Sequence, residues 1–98
     1  MRMAAEHLVR IHWSDAQQQS GLPDVDRTID PAWQMPGGDG WSLIIRFERT
    51  PKVQGNPSTG FAQFLVADQA PTGWLQAGTV LHLFERNTGK SARLEVLD

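Results

Sequence analysis

The chain has 98 residues, 40% of them hydrophobic and 20% charged, the balance of one soluble globular domain rather than of a disordered or fibrous chain. Its 9 basic and 11 acidic side chains leave a formal charge of −2, which argues against a domain built to hold nucleic-acid phosphates. No cysteine is available for disulfides, thiolate metal sites or nucleophilic catalysis, and 4 Trp beside no Tyr single out the tryptophans for explanation.

From Met1 to Ala5 the chain runs into Glu6 and His7 without the apolar stretch of about 7–15 residues that a signal peptide needs. Its longest apolar runs, such as Leu43-Ile44-Ile45, fall far short of the ~20 residues of a membrane span. A soluble, cytoplasmic protein with no membrane partner is expected. Glu6 to Trp13 alternates as a strand does, with His7, Val9, Ile11 and Trp13 on one face and Glu6, Arg10 and His12 mostly on the other. The long connection from Ser14 to Gly40 follows, carrying Pro23, Pro31, Pro36, Gly37, Gly38 and Gly40. Gln17-Gln18-Gln19 reads as loop within it, and the connection lacks room for a regular helix. It does have room for a short sixth strand around Arg27 to Trp33. A structureless loop longer than about 15 residues is uncommon in a compact domain, so Ile29 and Trp33, with Leu22 as a further candidate, are expected to hold it down.

Trp41 to Arg49 is the clearest strand: Trp41, Leu43, Ile45 and Phe47 alternate with Ser42, Ile44, Arg46 and Glu48, the period of a sheet with one buried face. Phe61 to Ala67, Thr79 to Arg86 and Ser91 to Leu97 complete the set, each bounded by turn-forming residues. The expected class is all-β, one six-stranded antiparallel barrel, closed or partly open, over residues 1–98. In the last hairpin, a four-residue turn at Asn87-Thr88-Gly89-Lys90 would set Arg86 against Ser91. Pairing outward then sets Leu83 against Leu94 and Leu81 against Val96 on one face. On the other it sets Phe84 against Arg93 and His82 against Glu95, an aromatic with a cation and an imidazole with a carboxylate.

Gly78 to Glu85, a polar turn, and Ala92 to Leu97 resemble the closing hairpin in the carboxy-terminal barrel of translation elongation factor Tu. There a glycine, two alternating apolar residues, a glutamate near the turn and a small-apolar return strand recur in the places of Gly78, Leu81, Leu83, Glu85 and Ala92 to Val96. The order of elements before the hairpin is also similar. The resemblance implies a free-standing barrel without the GTPase domain. The chain departs from the family in having Arg86-Asn87 beside the glutamate and in lacking the basic loop after the first strand, near which the family meets transfer RNA.

Several motifs that would carry chemistry fail on spacing. Thr88-Gly89-Lys90-Ser91 resembles the end of a phosphate-binding loop, but the frame's first glycine would fall on Phe84 and Ser91 opens a strand, so Gly89 reads as a turn residue at positive φ. Gly37-Gly38-Asp39-Gly40 precedes a strand and reads as a flexible turn. His7 and His12 lie an odd number of residues apart and point to opposite faces, so no metal and no other cofactor is expected. Asp24, Asp26 and Asp30 lack calcium-loop spacing and read as loop solvation, with Asp30 forming a turn before Pro31. No serine is set in a nucleophile elbow, and Glu48, Glu85 and Glu95 are expected on the outer face or at strand ends, so no catalytic constellation is found.

What remains is binding. Trp13 and Trp41 read as core. Trp33 and Trp74, in Pro- and Gly-flanked segments, either cap the barrel or stand out as aromatic anchors. An interaction surface for another protein is expected from Trp74, Phe84 and His82, with charge specificity from Arg93 and Glu95. One alternative is an RNA-associated, translation-factor-like role through the basic cluster Arg46, Arg49 and Lys52, with Phe61 or Trp74 for stacking. Another is a bacterial immunity-type inhibitor of a neighbouring toxin. No DNA partner is expected.

Overall fold

The structure is a computed structural model that describes residues 2–35, 38–85 and 90–98. Six antiparallel strands form it: β1 (His7–Trp13), β2 (Arg27–Trp33), β3 (Trp41–Arg46), β4 (Ser58–Phe64), β5 (Val80–Glu85) and β6 (Lys90–Val96). They close in the order β1-β4-β3-β2-β5-β6, with β6 returning to β1. Closure leaves no strand edge for another chain to extend, which suits a small domain of short strands. Among the described residues no helix is long and apolar enough to cross a membrane.

The alternation expected of β1 and β3 is the one observed within the strands, but Glu6, expected on the outer face, is buried. Val9, Ile11, Trp13, Leu43, Ile45 and Phe47 are buried, and residues from β5 and β6 meet them across the interior: Leu81, Leu83, Ala92, Leu94 and Val96 belong to the same core. Fully burying such a side chain is worth about 1.5–3 kcal/mol, and this interior is where the domain draws most of its stability. Two polar side chains also face inward without breaking the rule that buried donors are paired. Trp13 donates from Nε1 to Ser58 Oγ at 2.8 Å, and the Ser58 hydroxyl donates onward to the Gly55 carbonyl at 2.6 Å. Trp13 N–H also donates to Asn56 Oδ1 at 2.9 Å, so the end of β1 is fastened to the corner that leads into β4. The peptide bond between Asn56 and Pro57 in that corner is cis.

Four expectations need correction. The connection after β1 does contain a helix, α1 (Asp15–Ser20). Ser14 caps it by accepting from Gln17 N–H at 3.1 Å, Gln17 is buried, and Gly21 ends it at φ 96°, where a glycine bears no steric penalty. A second helical turn, α2 (Pro51–Gln54), starts from the cap Thr50 with Pro51 in its first turn, a position that needs no N–H. In β2 the faces are reversed from the apolar reading: Thr28, Asp30 and Ala32 point inward, whereas Ile29 is 45% exposed. Asp30 is therefore a buried strand residue and not a turn former, and Leu22, partly buried against the core, does the holding that Ile29 does not, while Trp33, expected to share it, turns to the outer face. Finally, β4 begins at Ser58 and ends at Phe64, so Ser58, Thr59 and Gly60 belong to a strand and Leu65 to Ala67 do not.

The last hairpin pairs two residues out of the expected register: Leu81 faces Leu94, His82 faces Arg93, Leu83 faces Ala92, Phe84 faces Ser91 and Glu85 faces Lys90. A two-residue slip keeps every side chain on its own face, so alternation cannot distinguish the two pairings. The expected contacts of Phe84 with Arg93 and of His82 with Glu95 are replaced accordingly. Arg86, Asn87, Thr88 and Gly89, and with them the expected turn and the positive φ of Gly89, lie outside the described residues, as does Gly37 of the glycine-rich turn before β3.

Candidate binding face

Outward-pointing residues of four neighbouring strands meet in one row because the barrel closes through β1 and β6. Trp33 on β2 faces His82 on β5, His82 faces Arg93 on β6, and Arg93 faces His12 on β1. This rung lines an open groove of about 440 Å³ at one end of the barrel, with Leu83 and Ala92 among its apolar walls. Next to the rung, Phe84 beside Ser91 is 40% exposed, and Val80 beside Glu95 is 43% exposed. Glu95 is held from the β1 side by Arg10 Nη1 at 3.4 Å and by His12 Nε2 at 3.6 Å. Arg93 is exposed and, among the described residues, forms no ion pair. Trp33 is partly buried, and its buried Nε1 has no hydrogen-bond partner among the described residues.

His82, Phe84, Arg93 and Glu95, singled out from the sequence, thus lie on one outer face. Trp74 does not join them. It ends a single-turn 3₁₀ helix, Thr72–Trp74, and packs against the core with its ring 6.4 Å from Phe64, which in turn meets Trp41 edge-on at 6.5 Å. Phe64 belongs to β4, directly opposite β5 in the ring of strands, so Trp74 caps the barrel on the far side. Arg10, His12 and Trp33 complete the face, and sequence reading does not assemble them. Their signal is the pairing of β1 with β6, which depends on closure and is invisible in the alternation of any single strand.

The basic residues Arg46, Arg49 and Lys52 are differently engaged. Arg46 donates to Glu6 through Nε at 3.0 Å and Nη2 at 2.8 Å and lies 4.9 Å over the Phe61 ring. Glu6, only 3% exposed, also accepts from Met3 N–H at 2.7 Å. The Arg46 hydrogen bonds, aided by the Met3 N–H, hold the Glu6 carboxyl below its ordinary value although burial pushes the other way. Both Arg46 and Phe61 are therefore engaged inside the molecule, in a two-pronged, charge-assisted pair of the strong kind. Arg49 is exposed and lines a groove with Glu48, Gln54 and the same Phe61, and Lys52 is exposed on α2. Among the described residues no three His, Asp or Glu side chains converge as metal ligands. The chain matches none of the family models, curated proteins or solved structures with which it was compared.

Proposed function

We propose that the protein is a non-enzymatic binding module that docks another protein on the outer face of β5, β6 and β1. The observation that carries this reading is the Trp33–His82–Arg93–His12 rung beside the exposed Phe84 and Val80. Aromatic and Arg anchors around a concave, part-apolar centre with a polar rim are what protein interfaces are enriched in. Kinship with the elongation factor's carboxy-terminal barrel belongs to the same proposal, supported by the closed six-stranded antiparallel architecture. An RNA-binding role gains no comparable support, since Arg46 is bound to Glu6 and the groove that Arg49 lines with Phe61 also holds the acidic Glu48.

Photo-crosslinking tests the docking reading. A benzophenone side chain placed at position 84 should give a discrete protein adduct in cells. The same group at position 53, on the exposed α2, should not, and Arg93→Glu should abolish the adduct at 84. Equal adduct patterns at both positions, or none at 84, would refute it.

A further inference from the structure

We infer that the groove at the Trp33–His82–Arg93–His12 rung receives a segment of the partner protein that carries a carboxylate next to an aromatic side chain. This rests on the protein-docking reading above and specifies the chemistry of what docks.

The charge arrangement asks for an anion. Arg93, His82 and His12 line the groove, and among the described residues no carboxylate does. The nearest acid on this face, Glu95, is already shared by Arg10 and His12 from the β1 side. Arg93 carries a permanent charge whose planar fork matches a carboxylate, and it forms no ion pair among the described residues.

The apolar walls ask for a ring. Trp33, Leu83 and Ala92 face a space of about 440 Å³, near the small end of the range of about 300–1,000 Å³ typical of ligand pockets. A groove of that size seats one or two side chains. Beyond it, the exposed Phe84 and Val80 extend the apolar surface along β5, which suits a polypeptide continuing past the groove. A nucleic-acid strand would instead meet, among the described residues, a single permanent cation in the groove, on a chain of net charge −2, and phosphate binding draws its strength from many cations.

The test is an NMR titration of the full chain with N-acetyltryptophan, its neutral amide, and adenosine monophosphate, observing the Trp33 indole N–H and the Arg93 guanidinium. The acid should bind at least fivefold more tightly than the amide, and Arg93→Gln should bring the acid to the amide's affinity while the backbone spectrum stays that of the folded barrel. Equal binding of acid and amide, or a preference of the acid that survives Arg93→Gln, overturns the inference. So does tighter, Arg93-dependent binding of adenosine monophosphate, which would mark a nucleotide site. A crosslink at position 84 without preference for the acid defeats the inference and leaves protein docking in place. Preference for the acid without any crosslink at 84 defeats the docking reading and with it the protein segment, leaving a site for a free carboxylate.

Discussion

Replacing Gly60 with alanine probes the interior where its packing is tightest. A Cβ built there would stand 2.9 Å from the Arg46 carbonyl oxygen, 3.0 Å from Phe47 Cδ1 and 3.2 Å from Cε1. The oxygen is backbone at the end of β3, and Phe47 is only 2% exposed, so neither can move aside without disturbing the barrel. Gly60 is therefore required for room and not for a left-handed backbone, since its φ is not among the positive ones. Overpacking of this kind costs typically 1–3 kcal/mol, and we expect a loss of about 2 kcal/mol for Gly60→Ala. In a domain of this size such a loss lowers Tm by roughly 10 °C. Gly73→Ala is the control: nothing lies within 4 Å of its added Cβ, and its effect should stay within about 0.5 kcal/mol. Urea and thermal unfolding of both variants measure the difference. Trimming Phe47 to leucine in the Gly60→Ala background should cost less than the sum of the two single losses, because part of the clash is with that ring. A Gly60→Ala variant as stable as Gly73→Ala would refute the packing account.

Ser58→Ala leaves the indole Nε1 of Trp13 buried without its acceptor, and should cost about 1–3 kcal/mol in urea unfolding; a loss below about 0.5 kcal/mol would mean that the Trp13–Ser58 bond contributes nothing measurable. Glu6 gives a pH signature. Its carboxyl is held below the ordinary value of 4.5, so the stability it contributes is complete above that pH and drains away as the pH falls through the lower value of the folded state. The stability gap between wild type and Glu6→Gln should accordingly be widest near neutrality and narrow below about pH 4.5; a gap independent of pH would show that the charge of Glu6 is irrelevant.

How far the sequence reveals this molecule depends on the range of the interactions concerned. Strand alternation is local, and it marks the inward side of β1 and β3, with the buried Glu6 just before β1 as an exception. It misleads in β2, where Thr28 and Asp30 turn inward and Ile29 outward, because β2 lies between β3 and β5 in the closed ring and its inward face is set by pairings that the local pattern does not show. Helix α1 was legible: Ser14 followed three residues later by Gln17, with Gly21 beyond, is a capping pattern with its terminator, obscured by the density of Pro and Gly downstream. The binding face was half legible. Its residues on β5 and β6 stand out as outward-facing aromatic and charged side chains, whereas His12 and Trp33 join them only through strand pairings that are distant in the chain. The hairpin register escapes for a related reason, since a shift of two residues preserves the faces and changes only the partners.

Docking at this face requires His12, Arg93, His82 and Trp33 to stand in one row, and interstrand NMR distances measure that row most directly. Contacts should join His12 to Arg93, Arg93 to His82, and His82 to Trp33, as the pairings of β1 with β6, β6 with β5 and β5 with β2 require. Contacts of His82 with Glu95 and of Phe84 with Arg93 as directly opposed pairs would instead place the hairpin two residues away, break the row, and contradict the binding face.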